Sequence, residues 1–137
     1  MNGGGVQLEL TVPAVAENIP LLRQAMAGFL DGQEIADEAA SDVLLAVTEA
    51  CTNVVQHAYR DADSHTADRH IELAADWSDE LLTVAVRDVG RGFAPRVDSP
   101  GLGLGLPVIA ALTETVEIRP LEPTGTEVLM RFPAERA

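Results

Sequence analysis

The sequence predicts an α+β fold, a two-layer α/β sandwich in which helices pack on one face of a mostly antiparallel sheet. Stretches that alternate apolar and polar residues predict half-buried strands, and stretches with apolar residues at helical spacing predict amphipathic helices. A short turn at Ser78–Asp79 joins two of the alternating stretches as a hairpin. The length of 137 residues suits one domain with a buried core, which we expect to span residues 1–137.

The first half of the chain is predicted to hold one strand and two helical runs. Val6–Val12 alternates strictly and predicts a strand. Ala16–Leu30 has apolar residues on one helical face and ends at a breaker, which predicts a helix. A second helical run begins near Glu34, where acidic residues suit the positive end of a helix. We expect this run to reach Tyr59 and to break near Ser41–Asp42.

The second half of the chain supplies the other strands. The polar residues 60–69 predict a surface loop. Alternating stretches follow this loop, and a short apolar helix separates the first two from the last two. The predicted elements are strands over Ile71–Trp77 and Leu82–Val86, a helix over Leu106–Leu112, and strands over Val116–Ile118 and Thr126–Phe132.

Composition excludes several classes of function. The net charge of −13 argues against a direct nucleic-acid partner, because no basic stripe is present to neutralise phosphates. No apolar run approaches the roughly 18 residues of a membrane span. The N-terminus lacks a secretory signal pattern, so we expect a cytoplasmic protein. All nine basic residues are arginine, which excludes phosphate sites built on lysine, such as the Walker-type loop.

The predicted helix around Ser41–Tyr59 carries an unusual pair of polar residues. Glu49 and Asn53 stand one turn apart on a face away from the apolar sector. Leu45 lies on the same side, which predicts that this face is partly covered. Cys51 falls in the apolar sector, which favours a packed residue over a nucleophile.

Polar residues also fall in phase with the buried side of two predicted strands. Asp88 continues the alternation of Leu82, Val84 and Val86, although a bare buried carboxylate is costly. Thr126 is likewise in phase with the apolar residues of the last strand. This arrangement indicates a pocket between the sheet and the Glu49 helix. Strand ends also carry polar residues without a function, so either residue alone fits an ordinary strand end.

Glycines cluster after Asp88. Asp88-Val-Gly90-Arg-Gly92 follows the strand, and Gly101-Leu-Gly103-Leu-Gly105 precedes Pro107, which we place in the first turn of a helix. Glycine loops that open onto a helix N-terminus present backbone amides to phosphate. Taken separately, the first cluster also fits a simple turn and the second a flexible connector.

Together these elements resemble the superfamily with the Bergerat nucleotide-binding fold, which includes histidine-kinase catalytic domains and the gyrase-type and chaperone ATPases. The segments EACTNVVQHAY and GLGLGLPVI look most like the anti-sigma-factor serine/threonine kinases of bacteria. The matching boxes are Glu49-Ala-Cys-Thr-Asn53 (N-box), Asp88-Val-Gly90-Arg-Gly92, Gly101-Leu-Gly103-Leu-Gly105 and Gly125-Thr126 (the three glycine boxes).

The resemblance implies a role for each matching residue. It implies that Asn53 ligates Mg²⁺, that Glu49 is the general base, and that Asp88 accepts a hydrogen bond from the adenine amine of ATP. The glycines would then allow close approach, Thr126 would support the adenine end, and an apolar residue would wall the nucleotide. The implied close-approach residues are Gly90 and Gly92 at the base and Gly101, Gly103 and Gly105 at the phosphates, with Leu45, Leu104 or Val89 as the wall.

Arginine takes the place of lysine in this scheme. Arg96 is the candidate for the terminal phosphate, with Arg91 second, although a solvated loop residue is an equal reading of Arg96. The interval Phe93–Pro100 is shorter than the lid of the family, which supports nucleotide binding better than catalysis.

The resemblance also implies a function and partners. Such a kinase sequesters a sigma factor and phosphorylates an anti-anti-sigma (STAS-type) protein with ATP and Mg²⁺, and family members often form homodimers. No nucleic acid and no membrane take part directly. The alternatives are a non-catalytic switch that uses nucleotide to set its partner affinity, and a small ATPase.

Overall fold

The computed structural model describes residues 7–58, 69–90 and 102–137, and for residues 102–105 it describes the backbone alone. The predicted loop at 60–68 and the end of the central helical run at Tyr59 lie outside these residues. The described elements are β1 (Leu8–Pro13), α1 (Ile19–Gly32), α2 (Asp37–Asn53), β2 (His70–Ser78), β3 (Leu81–Asp88), α3 (Leu102–Leu112), β4 (Thr115–Pro120) and β5 (Thr126–Pro133). A 3₁₀ turn at Ala16–Asn18 precedes α1, and a π-helical turn at Val54–Ala58 follows α2.

The strands form one sheet in the order β1-β2-β3-β5-β4, and each neighbouring pair is antiparallel. The N-terminal strand therefore belongs to the main sheet, with Leu8 opposite Ala75. The hairpin turn lies one residue later than predicted, because Asp79 and Glu80 take positive φ angles of 56° and 62° between paired Ser78 and Leu81. Two such angles define the type I′ turn, which matches the twist of the flanking strands.

The core lies between the helices and the inner face of the sheet, which confirms the predicted two-layer α+β sandwich. Alternate residues of each strand face the helices, as the period-2 pattern requires. Buried residues of α1 and α2 meet them, and Ile109 adds α3 to this layer. The largest buried side chains of the core include Leu22, Met26, Val43, Val47, Leu73, Leu82, Val84, Ile109 and Met130.

The outer face of the sheet is polar at its rim. Arg87 Nε donates to Glu127 Oε2 at 2.7 Å, and Arg131 Nη1 lies 2.9 Å from Glu117 Oε2. Arg119 joins these two pairs, since it contacts both Glu117 and Glu127. Apart from Glu127, whose side chain is 11% exposed, these groups are 30–50% exposed, and ion pairs this close to solvent contribute little to stability. The apolar face of the sheet is left to the helices.

The central helix begins later than predicted. Glu34 has a left-handed φ of 60°, so it cannot start a helix. The amide of Ala36 donates to the carbonyl of Glu135 at 3.0 Å, and the amide of Ala137 donates to the carbonyl of Glu34 at 2.7 Å. The end of the chain thus holds the linker extended until Asp37. The predicted break near Ser41–Asp42 is also wrong, because α2 continues through it with its buried face unbroken.

The third helix begins at Leu102 instead of Leu106, so Pro107 lies inside α3 and not in its first turn. Packing against α2 explains the difference, because tertiary contacts extend a helix beyond what its sequence favours alone. Pro107 has no backbone N–H, so the carbonyl of Gly103 receives no helical hydrogen bond from it.

The helices α2 and α3 run in opposite directions along the sheet. Ala36, which caps α2, is hydrogen-bonded to Glu135, just beyond the end of β5. The segment after α3 reaches the same end, because the amide of Glu114 donates to the carbonyl of Arg131 at 2.7 Å. The 17 residues of α2 span about 25 Å, close to the length of an eight-residue strand. The last turn of α2 therefore lies near the end of β3 and the start of β5.

The left-handed backbone at Glu34 gives a test of this arrangement. We expect Glu34→Gly to stabilise the protein by about 0.5–1 kcal/mol, since glycine adopts positive φ without steric cost. Glu38→Gly, in the first turns of α2, is expected to lower stability by about 1 kcal/mol. Urea unfolding followed by circular dichroism compares the two. Equal losses in both variants would contradict the described conformation of Glu34.

Candidate functional site

Several predicted site residues lie at one end of the sheet, where β3 ends and β5 begins, opposite the end that the C-terminal residues reach. Asp88, the last residue of β3, pairs with Thr126 at the start of β5 and with Ile71 of β2. Asn53 ends α2 and Glu49 lies one turn before it; α2 packs on both β3 and β5 and is about as long as these strands, so we expect its last turns near this end. Side chains from two strands and one helix therefore converge in the layer between sheet and helices.

Asp88 is fully buried, as its strand phase predicts. Its Oδ1 accepts a hydrogen bond from the amide of Gly90 at 3.0 Å. Its Oδ2 is buried and has no hydrogen-bond partner within the described residues. A buried acceptor without a partner is costly, so this oxygen suits a donor supplied by a bound molecule.

The environment of Asp88 changes its acidity. Burial raises the pKa of Asp88 to about 6, because a charged carboxylate loses its hydration there. The amides of Gly90 and Thr126 and the nearby His70 oppose part of this rise. At neutral pH the carboxylate is therefore mostly charged but poorly stabilised by the protein alone.

The loop before β5 holds the backbone around Asp88. Gly125 has a φ of 122°, a conformation that other residues rarely adopt. A Cβ atom on Gly125 would overlap the carbonyl oxygen of Asp88 and would lie 3.1 Å from Val89 Cα. Thr124 Oγ1 donates to the carbonyl of Val89 at 2.7 Å. The third predicted box therefore sits directly against the first, a contact that only glycine allows.

Two features of this end of the molecule carry no signal in the sequence. Thr124 lies outside the four boxes, and its hydrogen bond to Val89 depends on how β3 and β5 align. The π-helical turn at Val54–Ala58, directly after Asn53, was also missed. Such turns are rare and occur often at functional sites, but they leave no periodic pattern in a sequence.

Glu49 and Asn53 lie in the last two turns of α2. Asn53 is only 4% exposed, and its Nδ2 has no hydrogen-bond partner within the described residues. Glu49 is partly buried, one turn earlier on the same helix. Nδ2 of Asn53 and Oδ2 of Asp88, both buried and without a partner within the described residues, have opposite hydrogen-bonding character. A ligand that contacts both atoms therefore needs a donor for Oδ2 of Asp88 and an acceptor for Nδ2 of Asn53.

Several predicted site residues lie outside the residues that the structure describes, or in a segment where it describes the backbone alone. Gly92, Arg96 and Gly101, together with Arg91 and the interval Phe93–Pro100, lie outside the described residues. Gly103, Leu104 and Gly105 belong to α3, of which only the backbone is described there. Their predicted contacts with the phosphates and the base stay predictions. The same holds for Val89 and Leu45 as walls of the nucleotide, and both side chains are exposed.

Cys51 behaves as the sequence predicted. It is fully buried in the apolar sector of α2, and burial raises the pKa of its thiol to about 12. A thiol of this pKa is protonated at neutral pH, and the thiolate is the reactive form. The prediction of a packed residue is confirmed.

The donor set fits a nucleotide with a divalent cation. Adenine supplies an exocyclic amine, which matches the unpartnered carboxylate oxygen of Asp88. Phosphate oxygens are acceptors, which match Nδ2 of Asn53, while Oδ1 of the same amide is a hard ligand suited to Mg²⁺. Within the described residues, no three His, Cys, Asp or Glu side chains lie together as a metal-binding group.

The fold and this site define a class of protein, an ATPase-type α+β sandwich that uses ATP. The chain belongs to the histidine kinase-like ATPase domain family, whose model matches residues 12–132. This match confirms the resemblance that the four boxes predicted.

Named relatives fall within the bacterial serine kinases. The chain is 30% identical over 139 residues to the serine-protein kinase RsbW of Bacillus mycoides, covering 90% of this chain and 82% of the relative. It is 31% identical over 137 residues to the serine-protein kinase RsbW of Bacillus cereus, with the same coverage. The predicted resemblance to this kinase subfamily is confirmed by these relatives.

Solved structures share the fold. The RsbU and RsbW domains of a Mycobacterium tuberculosis protein match with a TM-score of 0.71 at 21% identity, covering 96% of this chain and 34% of that one. The SiaB-SiaC complex from Pseudomonas aeruginosa also gives a TM-score of 0.71, at 14% identity, covering 93% and 89%. At these identities the likeness establishes the architecture.

The helices are too short or too polar to cross a bilayer. In the part of the chain that the structure describes, none combines the length and the apolar character of a membrane span.

The raised pKa of Asp88 predicts that the site destabilises the nucleotide-free protein. A carboxyl whose folded pKa lies above its unfolded value favours the protonated folded state, so stability falls as pH rises through that range. A rise to about 6 corresponds to about 2–3 kcal/mol lost by pH 7. We expect Asp88→Asn to be more stable than the native protein at pH 8, by about 1–2 kcal/mol, because its amide still lacks one partner.

This difference is expected to vanish near pH 4, where Asp88 is protonated in the native protein. Urea denaturation of both proteins at pH 4, 6 and 8 measures it. A stability difference that does not change with pH would contradict the raised pKa.

Glycine substitutions test the contact between the loop and β3. Gly125→Ala is expected to lower stability by about 2–3 kcal/mol, because it adds both backbone strain and overlap with Asp88. Gly28→Ala on α1 is the matched control, because a Cβ atom added there would meet nothing within 4 Å and alanine favours the helix. Gly28→Ala is expected to be neutral or stabilising in thermal unfolding. A tolerated Gly125→Ala would mean that this loop does not pack against Asp88.

Proposed function

We propose that the chain is an ATP-dependent protein serine/threonine kinase of the anti-sigma type. The observation that carries the proposal is the buried carboxylate of Asp88 at the end of β3, whose Oδ2 has no hydrogen-bond partner within the described residues. Glu49 and Asn53 lie toward the end of α2, the helix that packs on β3 and β5. Membership of the histidine kinase-like ATPase family and the serine-protein kinase names of the relatives support it.

Asp88 selects the base in this proposal. Its Oδ2 accepts from the exocyclic amine of adenine, while Oδ1 stays bound to the amide of Gly90. Guanine presents a carbonyl oxygen at the corresponding position, which would face the carboxylate without a proton between them. Thr126, which is buried and paired with Asp88, supports the carboxylate from β5.

Asn53 holds the phosphate end. Its Nδ2 donates to a phosphate oxygen, and its Oδ1 is the protein ligand of Mg²⁺. Asn53 would hold a Mg²⁺ ion there, which would supply positive charge against the charge that develops during phosphoryl transfer. The glycines of the second box, Gly101, Gly103 and Gly105, present backbone amides to the phosphates, with Leu104 beside them. Gly92 allows the close approach of the base, and Arg96 pairs with the terminal phosphate.

Glu49 acts as the general base. It stands one turn before Asn53 on the same side of α2, so a hydroxyl aligned with the phosphate can donate its proton to the Glu49 carboxylate. The oxygen of the substrate serine or threonine forms the new bond to the γ-phosphorus as the bond to the β-γ bridging oxygen breaks. The products are a phosphorylated protein and ADP, with the proton on Glu49.

The partners follow from the subfamily. The proposal assigns a sigma factor as the sequestered partner and an anti-anti-sigma STAS-domain protein as the substrate, with a homodimer as the assembly. ATP and sigma factors are cytoplasmic, so the proposal places the chain, as one domain over residues 1–137, in the cytoplasm. Neither nucleic acid nor membrane is a direct partner.

One set of measurements separates this proposal from its alternatives. Isothermal titration with ATP, ADP and GTP, each with and without Mg²⁺, is expected to give adenine-specific, Mg²⁺-dependent binding. Incubation with γ-labelled ATP and the STAS-domain proteins of the source organism is expected to label one of them. Release of phosphate alone would indicate an ATPase, and binding without turnover would indicate a switch protein. Lack of binding would overturn the proposal.

Glu49→Gln separates catalysis from binding. We expect phosphoryl transfer to fall by about 10²–10⁴-fold, since the amide cannot accept the proton, while the Kd for ATP changes less than about threefold. Glu17→Gln, outside the site, is the control with the same chemical change and is expected to be silent. Label transfer measures the first quantity, and isothermal titration the second. Full activity of Glu49→Gln would remove Glu49 from the mechanism.

A further inference from the structure

Helix α3 has an apolar outer face. No polar side chain occurs between Leu102 and Leu112, yet four of the seven side chains described there, at residues 106–112, are exposed. A helix that is apolar on all sides is ordinarily buried, and contiguous exposed apolar surface marks an interaction site. The exposed residues are Pro107, Val108, Ala110 and Ala111, of which Val108 is 36% exposed.

An exposed apolar residue of α2 lies next to the proposed base. Leu45 is 47% exposed and precedes Glu49 by four residues, so the two share one face a single turn apart. The helical pattern of the sequence predicts that this face is partly covered. The described residues leave Leu45 open.

The antiparallel packing of α2 and α3 brings these apolar residues to similar levels along the two helices. Leu112 of α3 lines the same groove as Ala39 and Asp42 of α2. One turn from Asp42 toward the site leads to Leu45, and one turn from Leu112 in the same direction leads to Val108. Leu45 and Val108 therefore stand at the same level on neighbouring helices. We name Ala39, Leu45, Val108, Ala111 and Leu112 the α2–α3 seam.

The groove at the far end of the seam has a volume of about 380 Å³. Its apolar floor includes Phe132 and Pro133, and it carries the carboxylates of Glu38, Asp42 and Glu135. Among the described residues that line it, the cation is Arg136, which stacks over the ring of Trp77 at 4.8 Å. The seam thus begins in an apolar groove with acidic walls and ends one turn from Glu49.

We infer that the α2–α3 seam is the docking surface for the protein whose hydroxyl group is phosphorylated. The inference rests on the proposed function and names the surface that this function requires. For the hydroxyl of a folded protein to reach Glu49, that protein must cover the surface of α2 beside Glu49. Leu45 forms this surface, one turn away. The acidic groove selects an occupant whose apolar side chain is flanked by arginine or lysine.

Kinetics with the STAS-domain protein that becomes labelled test the inference. Val108→Ser is expected to raise the KM for this protein about three- to tenfold, with kcat and the Kd for ATP unchanged, because docking removes only the exposed third of this side chain from water. Leu45→Ser is expected to raise the same KM. Glu135→Gln is expected to raise it less, with an effect that shrinks at high salt.

The chain offers matched controls on α1 and the segment before it. Leu21 is 47% exposed, as Leu45 is, and Val15 is 38% exposed, close to Val108. Leu21→Ser and Val15→Ser are expected to leave the KM unchanged. Equal effects of seam and control variants would overturn the inference.

The other outcomes are also decisive. A raised Kd for ATP in Leu45→Ser without a change in KM would place Leu45 in the nucleotide wall and overturn the inference. A seam variant that changes only the oligomeric mass measured by sedimentation would also overturn the inference, because the seam would then join two copies of the chain. If no STAS-domain protein is labelled, the proposed function fails first and the inference fails with it. Labelling with unchanged kinetics in every seam variant overturns the inference alone.

Discussion

The carboxylate of Asp88 is buried at the end of β3, in line with Val84 and Val86, where ionisation has a high cost. The surrounding backbone is arranged around this group. Gly90 donates to one oxygen, and Gly125 approaches the carbonyl so closely that no side chain fits there. Pairing with Thr126 keeps both strands in the register that aims the second oxygen at the helix layer. The buried carboxylate lowers stability at neutral pH, a cost that fits the binding role proposed for Asp88.

The opposite end of the sheet is built for stability. The terminal residues pair with the linker before α2, and Trp77 Nε1 donates to the carbonyl of Ala134 at 2.8 Å. These contacts fix where α2 begins. Because a helix is rigid, the position of its first turn also determines where Glu49 and Asn53 lie, about 18–24 Å further along. Contacts at one end of the chain therefore position the polar pair at the other end of the molecule.

Local patterns in the sequence predicted most of the fold. Period-2 alternation located β2, β3 and β5 and indicated the buried phase of Asp88, because that phase depends only on neighbours in the chain. The predicted start of α2 was wrong, since the left-handed Glu34 is held by residues about 100 positions later. The predicted start of α3 was wrong because packing on α2 outweighs the glycines.

For the candidate site too, local sequence patterns predicted some features, and others depend on contacts between distant segments. The order of the four boxes was visible in the sequence, and residues on regular elements fell where their phase placed them. The hydrogen bond from Thr124 and the exposed seam depend on contacts between distant segments, which no local pattern encodes. Arg96 and the glycines at 92 and 101 lie outside the described residues, so their roles rest on the resemblance.

The position of the seam bears on the choice between a hydroxyl and water as the attacking group. A base that activates any nearby oxygen would hydrolyse ATP whenever water reached it. Leu45 lies one turn from Glu49, the proposed base, so a protein docked on the seam would cover apolar surface beside this carboxylate and displace water from it. Binding energy gained along the seam is then used to align the substrate hydroxyl. A kinase built in this way turns over ATP mainly when its protein substrate is bound, which distinguishes it from a small ATPase on the same fold.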